Sequence, residues 1–142
     1  MSEYDPNFIF EPVYFLAGVK TILINSDNKV LLLKRSSKTA NPHQWDFPGG
    51  GVDRGENPEM SAIREVKEET GLEAVELKPI ITCLVADRSE EAIIIGFSAR
   101  TSNSDVVLSW EHEDHKWIAI DDVGSIGLPE LHAKIFKAFV SK

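Results

Sequence analysis

The sequence contains one cysteine, Cys83, in 142 residues. That excludes a disulfide scaffold and any multi-cysteine zinc cluster, and it suits a reducing compartment. No run approaches the ~18 apolar residues of a membrane span. Basic residues are few: 15 Lys and Arg stand against 23 Asp and Glu, a formal charge of -8 with histidine neutral. So acidic a chain does not grip a nucleic-acid polymer by bulk electrostatics, and it lacks the basic cluster that an anionic membrane attracts. Residues 1–11 carry Glu3, Asp5 and Glu11 but no Lys or Arg, the wrong charge for a secretory signal. The expectation is a cytoplasmic protein with one domain over residues 1–142, without a polymer or membrane partner. At 42% hydrophobic and 27% charged residues, wholesale disorder is also excluded.

Pro6 and Pro12 break any helix in residues 1–17, which are expected to form an irregular arm or short edge strand. Val19, Thr21, Ile22 and Ile24 predict a strand over 18–24. Asn25-Ser26-Asp27-Asn28 is turn chemistry, and Val30 to Leu33 predict the returning strand, which ends in Lys34-Arg35. A polar loop follows over 36–44. Two apolar runs, 75–86 and 92–100, are joined by the polar segment Asp87-Arg88-Ser89-Glu90-Glu91 and suggest an antiparallel pair. Short strands are predicted at 106–110 and 117–120, on either side of an acidic, histidine-rich connection. Pro129 suits the first turn of a last helix, with Leu131, Ile135, Ala138 and Phe139 on one core-packing face.

The start and stop signals of a helix are clearest at 57–71. Asn57 is a good N-cap, Pro58 fits the first helical position, and Gly71 fits the left-handed position after the last turn. At about 100° per residue, Glu65, Glu68 and Glu69 fall within an arc of about 100°. Met60, Ile63, Ala62 and Val66 are expected on the opposite, core-facing side. Crowded carboxylates repel one another, so at least one is expected to titrate high. Two readings are open: a solvated acidic face, or a stripe that holds a divalent cation through hard oxygen donors. The preceding Trp45-Asp46-Phe47-Pro48-Gly49-Gly50-Gly51 bears on the choice, because glycines let backbone approach a ligand or ion closely.

Gly50, Glu56, Arg64-Glu65-Val66, Glu68-Glu69 and Gly71-Leu72 fit the pattern G-x5-E-x7-R-E-U-x-E-E-x-G-U, U being bulky aliphatic, at every specified position across 23 residues. The pattern resembles the signature of the Nudix hydrolase superfamily, MutT-like. Glu111-His112 followed by Trp117-Ile118 resembles a frequent ending of its members. The resemblance implies an α/β (α+β) fold, a mixed β-sheet sandwiched between helices. It implies Mg²⁺- or Mn²⁺-dependent attack of water on a pyrophosphate linkage in a nucleotide. Glu65, Glu68 and Glu69 match metal-ligand positions, joined by the carbonyl of Gly50 or its neighbour. Arg64 matches a residue that orients the carboxylates, and Glu56 one that supports the metal site.

The charge arithmetic is compatible with that implication. A diphosphate approaching a protein of charge -8 is repelled unless cations reverse the local sign. Lys34 or Arg35 could clamp a phosphate, or be strand-end charges in solvent. The general base is open between Glu68, Glu69 and Glu111, with Glu113 and Asp114 as neighbours of the last. His112 and His115 are expected to face solvent in a loop, substrate binding being the alternative. Cys83 is expected in the core. Phe15, Phe97 and Trp110 are expected to pack in the core, base stacking being the alternative.

The signals that mark coenzyme A, ADP-ribose and diadenosine polyphosphate subclasses are missing at their expected distances from the box. The expectation is a compact nucleotide pyrophosphohydrolase acting on a nucleoside di- or triphosphate or related derivative, as a monomer or homodimer. A nucleotide-sugar or ADP-ribose hydrolase is the runner-up, and a non-catalytic nucleotide sensor the third reading.

Overall fold

The computed structural model describes residues 2–87 and 90–142. Strand β1 (Leu16–Ile24) runs parallel to β6 (Glu90–Arg100), in register from Leu16 opposite Ala92 to Ile24 opposite Arg100. Strand β5 (Val75–Asp87) pairs antiparallel with β6. On its other side β1 pairs with β4 (Gly49–Gly51) and, at Ile24 opposite Val30, with β2 (Lys29–Arg35). Strand β2 then carries both β3 (Trp45–Asp46) and β7 (His112–Ala119) antiparallel. The sheet is therefore mixed.

Helix α1 (Pro58–Thr70) covers one face; the short α2 (Ile120–Val123) and α3 (Glu130–Val140) cover the other. Alternation along β1 and β2 divides the core accordingly. Ile22, Ile24, Val30 and Leu32 pack under α3 with Phe47 and Ile135, whereas Leu23, Leu31 and Leu33 pack under α1 with Val66 and Leu72. Consecutive buried leucines at 31–33 require both faces to be covered. Each fully buried aliphatic side chain is worth about 1.5–3 kcal/mol. This is the α+β sandwich expected from the sequence. No described helix is long and apolar enough to cross a membrane.

Several local expectations change. Residues 2–15 form an irregular exposed arm, but Leu16 and Ala17 already belong to β1. Residues 106–110 are not a strand. They run past the end of α1, where the Val107 N–H donates to the Thr70 carbonyl (2.9 Å) and the Ser109 N–H to the Glu69 carbonyl (3.3 Å). Their extended backbone satisfies carbonyls that a helix end leaves open. The acidic, histidine-rich connection is itself β7, because its backbone pairs along the full length of β2. The turn expected over 87–91 includes Arg88 and Ser89, which lie outside the described residues. The α1 core face is narrower than expected: Ala62 and Val66 are buried, but Met60 is 62% and Ile63 39% exposed. Leu131, Ile135, Ala138 and Phe139 pack on α3 as expected.

Candidate active site

The phase of α1 is set at its ends. The Asn57 side chain accepts the Glu59 N–H at 3.0 Å, and Gly71 takes the left-handed conformation at φ 74° while its N–H closes on the Lys67 carbonyl. That phase lays the helix over β4. A side chain at Gly49 would overlap the Val19 carbonyl oxygen, and a Cβ on Gly50 would stand 2.5 Å from Glu65 Oε1. Both glycines are needed for this close approach.

The three stripe carboxylates occupy different depths. The Glu68 side chain is 56% exposed, Glu65 is nearly buried, and Glu69 is 1% exposed. Glu69 is thus part of the interior rather than of a solvated acidic face. Its Oε1 accepts the Gly49 N–H at 3.1 Å, and its buried Oε2 has no hydrogen-bond partner. Burial, opposed by the Lys20 charge and reinforced by the Asp46 carboxylate, pushes Glu69 up to about 9. One stripe carboxylate does titrate high, then, but burial is the leading cause and the charge of Glu65 only a small one.

Arg64 gathers the other carboxylates. Its Nε and Nη2 pair with the two oxygens of Glu56, each at 2.9 Å, while Nη1 reaches Glu65 Oε1 at 3.0 Å and Glu68 Oε2 at 3.2 Å. Nη2 also donates to the Gly51 carbonyl at 3.1 Å. The hydrogen bonds from Arg64 and Ser61 hold Glu56 down at about 2, and those to Glu56 raise Arg64 above its ordinary value. The Gly50 carbonyl faces β1: its oxygen lies 3.2 Å from the place of a Cβ on Gly18. At this stretch it is the Gly49 backbone that reaches Glu69.

Behind Glu69 lies a buried polar group that sequence reasoning missed. Asp46 Oδ2 is 3.1 Å from Arg35 Nη1 and 3.5 Å from Lys20 Nζ, while Oδ1 is 3.2 Å from His112 Nε2. Burial opposes ionisation of Asp46, but the His112 hydrogen bond and the Lys20 charge hold it at about 2. The signal in the sequence was Lys20 itself, the single charged residue in the predicted strand 18–24.

Arg35 is occupied by Asp46 and by the Ala40 carbonyl (2.6 Å), so it braces the 36–44 loop. Lys34 points to the other face of β2, where Nζ is 3.7 Å from Glu113. Glu111 sits in the turn before β7, and its carbonyl accepts the Ser36 N–H. The next residue, His112, is buried rather than solvent-facing, with Nδ1 3.5 Å from Glu69 Oε2. His115 lies in β7, not in a loop. Cys83 is only half-buried. Phe97 is buried as expected, whereas Phe15 and Trp110 are exposed because they sit on the arm and on the turn before β7.

Among the described residues, no three acidic, histidine or cysteine side chains converge on one point as a metal cage would. Arg64 stands between Glu56, Glu65 and Glu68 instead. The donor chemistry nevertheless fits a hard divalent cation. It is made of carboxylates, one of them with an orphaned buried oxygen, beside backbone that glycine brings close.

A family model described as NUDIX domain matches residues 15–139. The chain is 34% identical over 117 residues to an RNA pyrophosphohydrolase of Caulobacter vibrioides, covering 82% of this chain and 63% of that relative's length. It is 32% identical over 104 residues to the asymmetrical bis(5'-nucleosyl)-tetraphosphatase of Mus musculus, covering 69% of each. Among solved structures, the MutT protein of Methanosarcina mazei Go1 superimposes with a TM-score of 0.82 at 29% identity, covering 89% of this chain and 94% of that one.

Proposed function

The chain belongs to the NUDIX domain family, and on that basis we propose that it is a Mg²⁺- or Mn²⁺-dependent pyrophosphohydrolase of small nucleotides. The observation that carries the reading is Glu69, a carboxylate buried on α1 with one oxygen unpartnered, flanked on the same helix by Glu65 and Glu68. A lone buried carboxylate costs stability unless something pairs with it.

Glu65, Glu68 and Glu69 would hold the cation, with the backbone at Gly49 or Gly50 beside them. Bound there, a divalent ion neutralises a diphosphate and makes an attacking water more acidic. Arg64 holds Glu56, Glu65 and Glu68 in one cluster, so their carboxylates are placed before substrate arrives. Glu68, the most exposed of the three, and Glu111, in the turn next to His112, are the candidates for taking the proton of water. Of the basic pair, Arg35 is spent on Asp46 and Lys34 lies on the other face of β2 beside Glu113, so neither is assigned a phosphate contact.

The relatives' names point to RNA and to dinucleoside tetraphosphates as substrates. The charge of -8 favours a small nucleotide over a polymer. The test is product analysis on nucleoside triphosphates, dinucleoside tetraphosphates, ADP-ribose, nucleotide sugars and 5'-triphosphorylated RNA with Mg²⁺. Glu68→Gln and Glu69→Gln serve as controls. Turnover of a small nucleotide, lost in both variants, is expected. Undiminished activity in both would end the assignment, and tight binding without turnover would favour a nucleotide sensor.

A further inference from the structure

Resting on that reading, we propose that Asp46 and His112 are positioning residues: they lock the Glu69 carboxylate in the orientation in which it meets a cation. Three features of the fold support this. First, the three side chains form a continuous buried line, with 3.2 Å from Asp46 Oδ1 to His112 Nε2 and 3.5 Å from His112 Nδ1 to Glu69 Oε2. Asp46 is anchored at its other oxygen by Arg35 and Lys20, so the acceptor that orients the ring is itself fixed. Asp46 accepts from Nε2, and Nδ1, a buried atom without a hydrogen-bond partner, faces Glu69 Oε2, so the ring acts on the carboxylate by packing against it. At 3.5 Å the ring does not hydrogen-bond the carboxylate in the ordinary sense. Together with the Gly49 N–H on Oε1 it leaves the carboxylate little freedom to rotate.

Second, the backbone makes a specific provision for this ring. Strand β7 pairs Asp114 with Lys34 and then His112 with Arg35, skipping Glu113. In a regular strand His112 shares the face of Asp114, away from α1. The bulge moves it to the face of Arg35, where Asp46 and Glu69 lie. Third, the bulge exposes Glu113 to Lys34 and His43, so the extra residue finds partners in solvent-facing positions.

The test uses the full chain. In His112→Ala and Asp46→Asn, Mn²⁺ affinity measured by electron paramagnetic resonance is expected to fall about 10–100-fold, the range for groups that orient metal ligands. With the best substrate, kcat should fall while KM stays within about twofold. The double variant should be no worse than either single, because both act through one carboxylate. His112→Gln, whose amide reaches Asp46, should recover more Mn²⁺ affinity than His112→Asn, and this comparison stands even if His112→Ala does not fold. Mn²⁺ affinity unchanged in folded His112→Ala and Asp46→Asn, equal affinity in the Gln and Asn variants, or losses that multiply in the double variant would overturn the inference. Glu69→Gln separates the two levels. If Glu69→Gln also binds Mn²⁺ like the parent, the metal reading itself fails. If it alone loses Mn²⁺, only the positioning role fails.

Discussion

Replacing Glu69 by Gln should stabilise the metal-free protein while destroying its function. In the folded chain burial lifts the Glu69 carboxyl to about 9 from an ordinary 4.5. The neutral form is therefore the one the fold accepts. Its contribution to stability is fully present below pH ~4.5, falls as pH rises above that value, and is lost entirely once pH passes about 9. Each pH unit across that window costs about 1.4 kcal/mol, so the penalty at pH 7 is on the order of 3 kcal/mol. The glutamine amide keeps an oxygen for the Gly49 N–H and carries no charge, so the variant escapes the penalty. Urea unfolding of both proteins in a chelator, from pH 5 to pH 9, should show the two stabilities diverging as pH rises, the variant being the more stable above neutrality. Adding Mg²⁺ at pH 8 should raise the parent's midpoint and leave that of Glu69→Gln in place, since a ligand that binds only the native state stabilises by mass action, about 2.7 kcal/mol at 100 times its Kd. Parallel pH curves, or a variant less stable at pH 8, would refute the reasoning about burial.

Gly50→Ala places a methyl 2.5 Å from Glu65 Oε1; the carboxylate must move, and Mn²⁺ affinity is expected to fall at least about tenfold in a chain that keeps its far-UV circular dichroism. Arg64→Lys removes the two-pronged grip on Glu56 and the bond to Glu65; both Tm and Mg²⁺ affinity should drop, because an ammonium does not reproduce the planar fork. Asn57→Ala deletes the cap of α1 and should cost about 1 kcal/mol in urea unfolding, with kcat unchanged under conditions where the protein stays folded.

What was legible from sequence was local. Asn57, Pro58 and Gly71 bound α1 through chemistry within a turn of each end, so the helix lies where the caps say. The leucines of β2 and the apolar face of α3 follow from periodicity alone. The angular arc that groups Glu65, Glu68 and Glu69 also holds, but an arc of that width straddles the line between solvent and sheet. The placement of β4 and of His112 on β7 decides that Glu69 goes in and Glu68 stays out. His112 escaped detection because its direction depends on a bulge between strands far apart in sequence. Lys20, Asp46 and Arg35 meet through three different strands, a pairing that no local pattern announces. Val106 to Trp110 have strand-like residues, yet the N–H groups of Val107 and Ser109 go to the end of a helix.

Whether the α1 glutamates hold divalent ions against a nucleotide's phosphates is decided by the anomalous difference map of a crystal grown with Mn²⁺ and a non-hydrolysable nucleotide. A manganese peak in contact with carboxylate oxygens of Glu65, Glu68 or Glu69 and with a phosphate oxygen is expected. A nucleotide bound elsewhere, with those carboxylates still closed on Arg64, would contradict it.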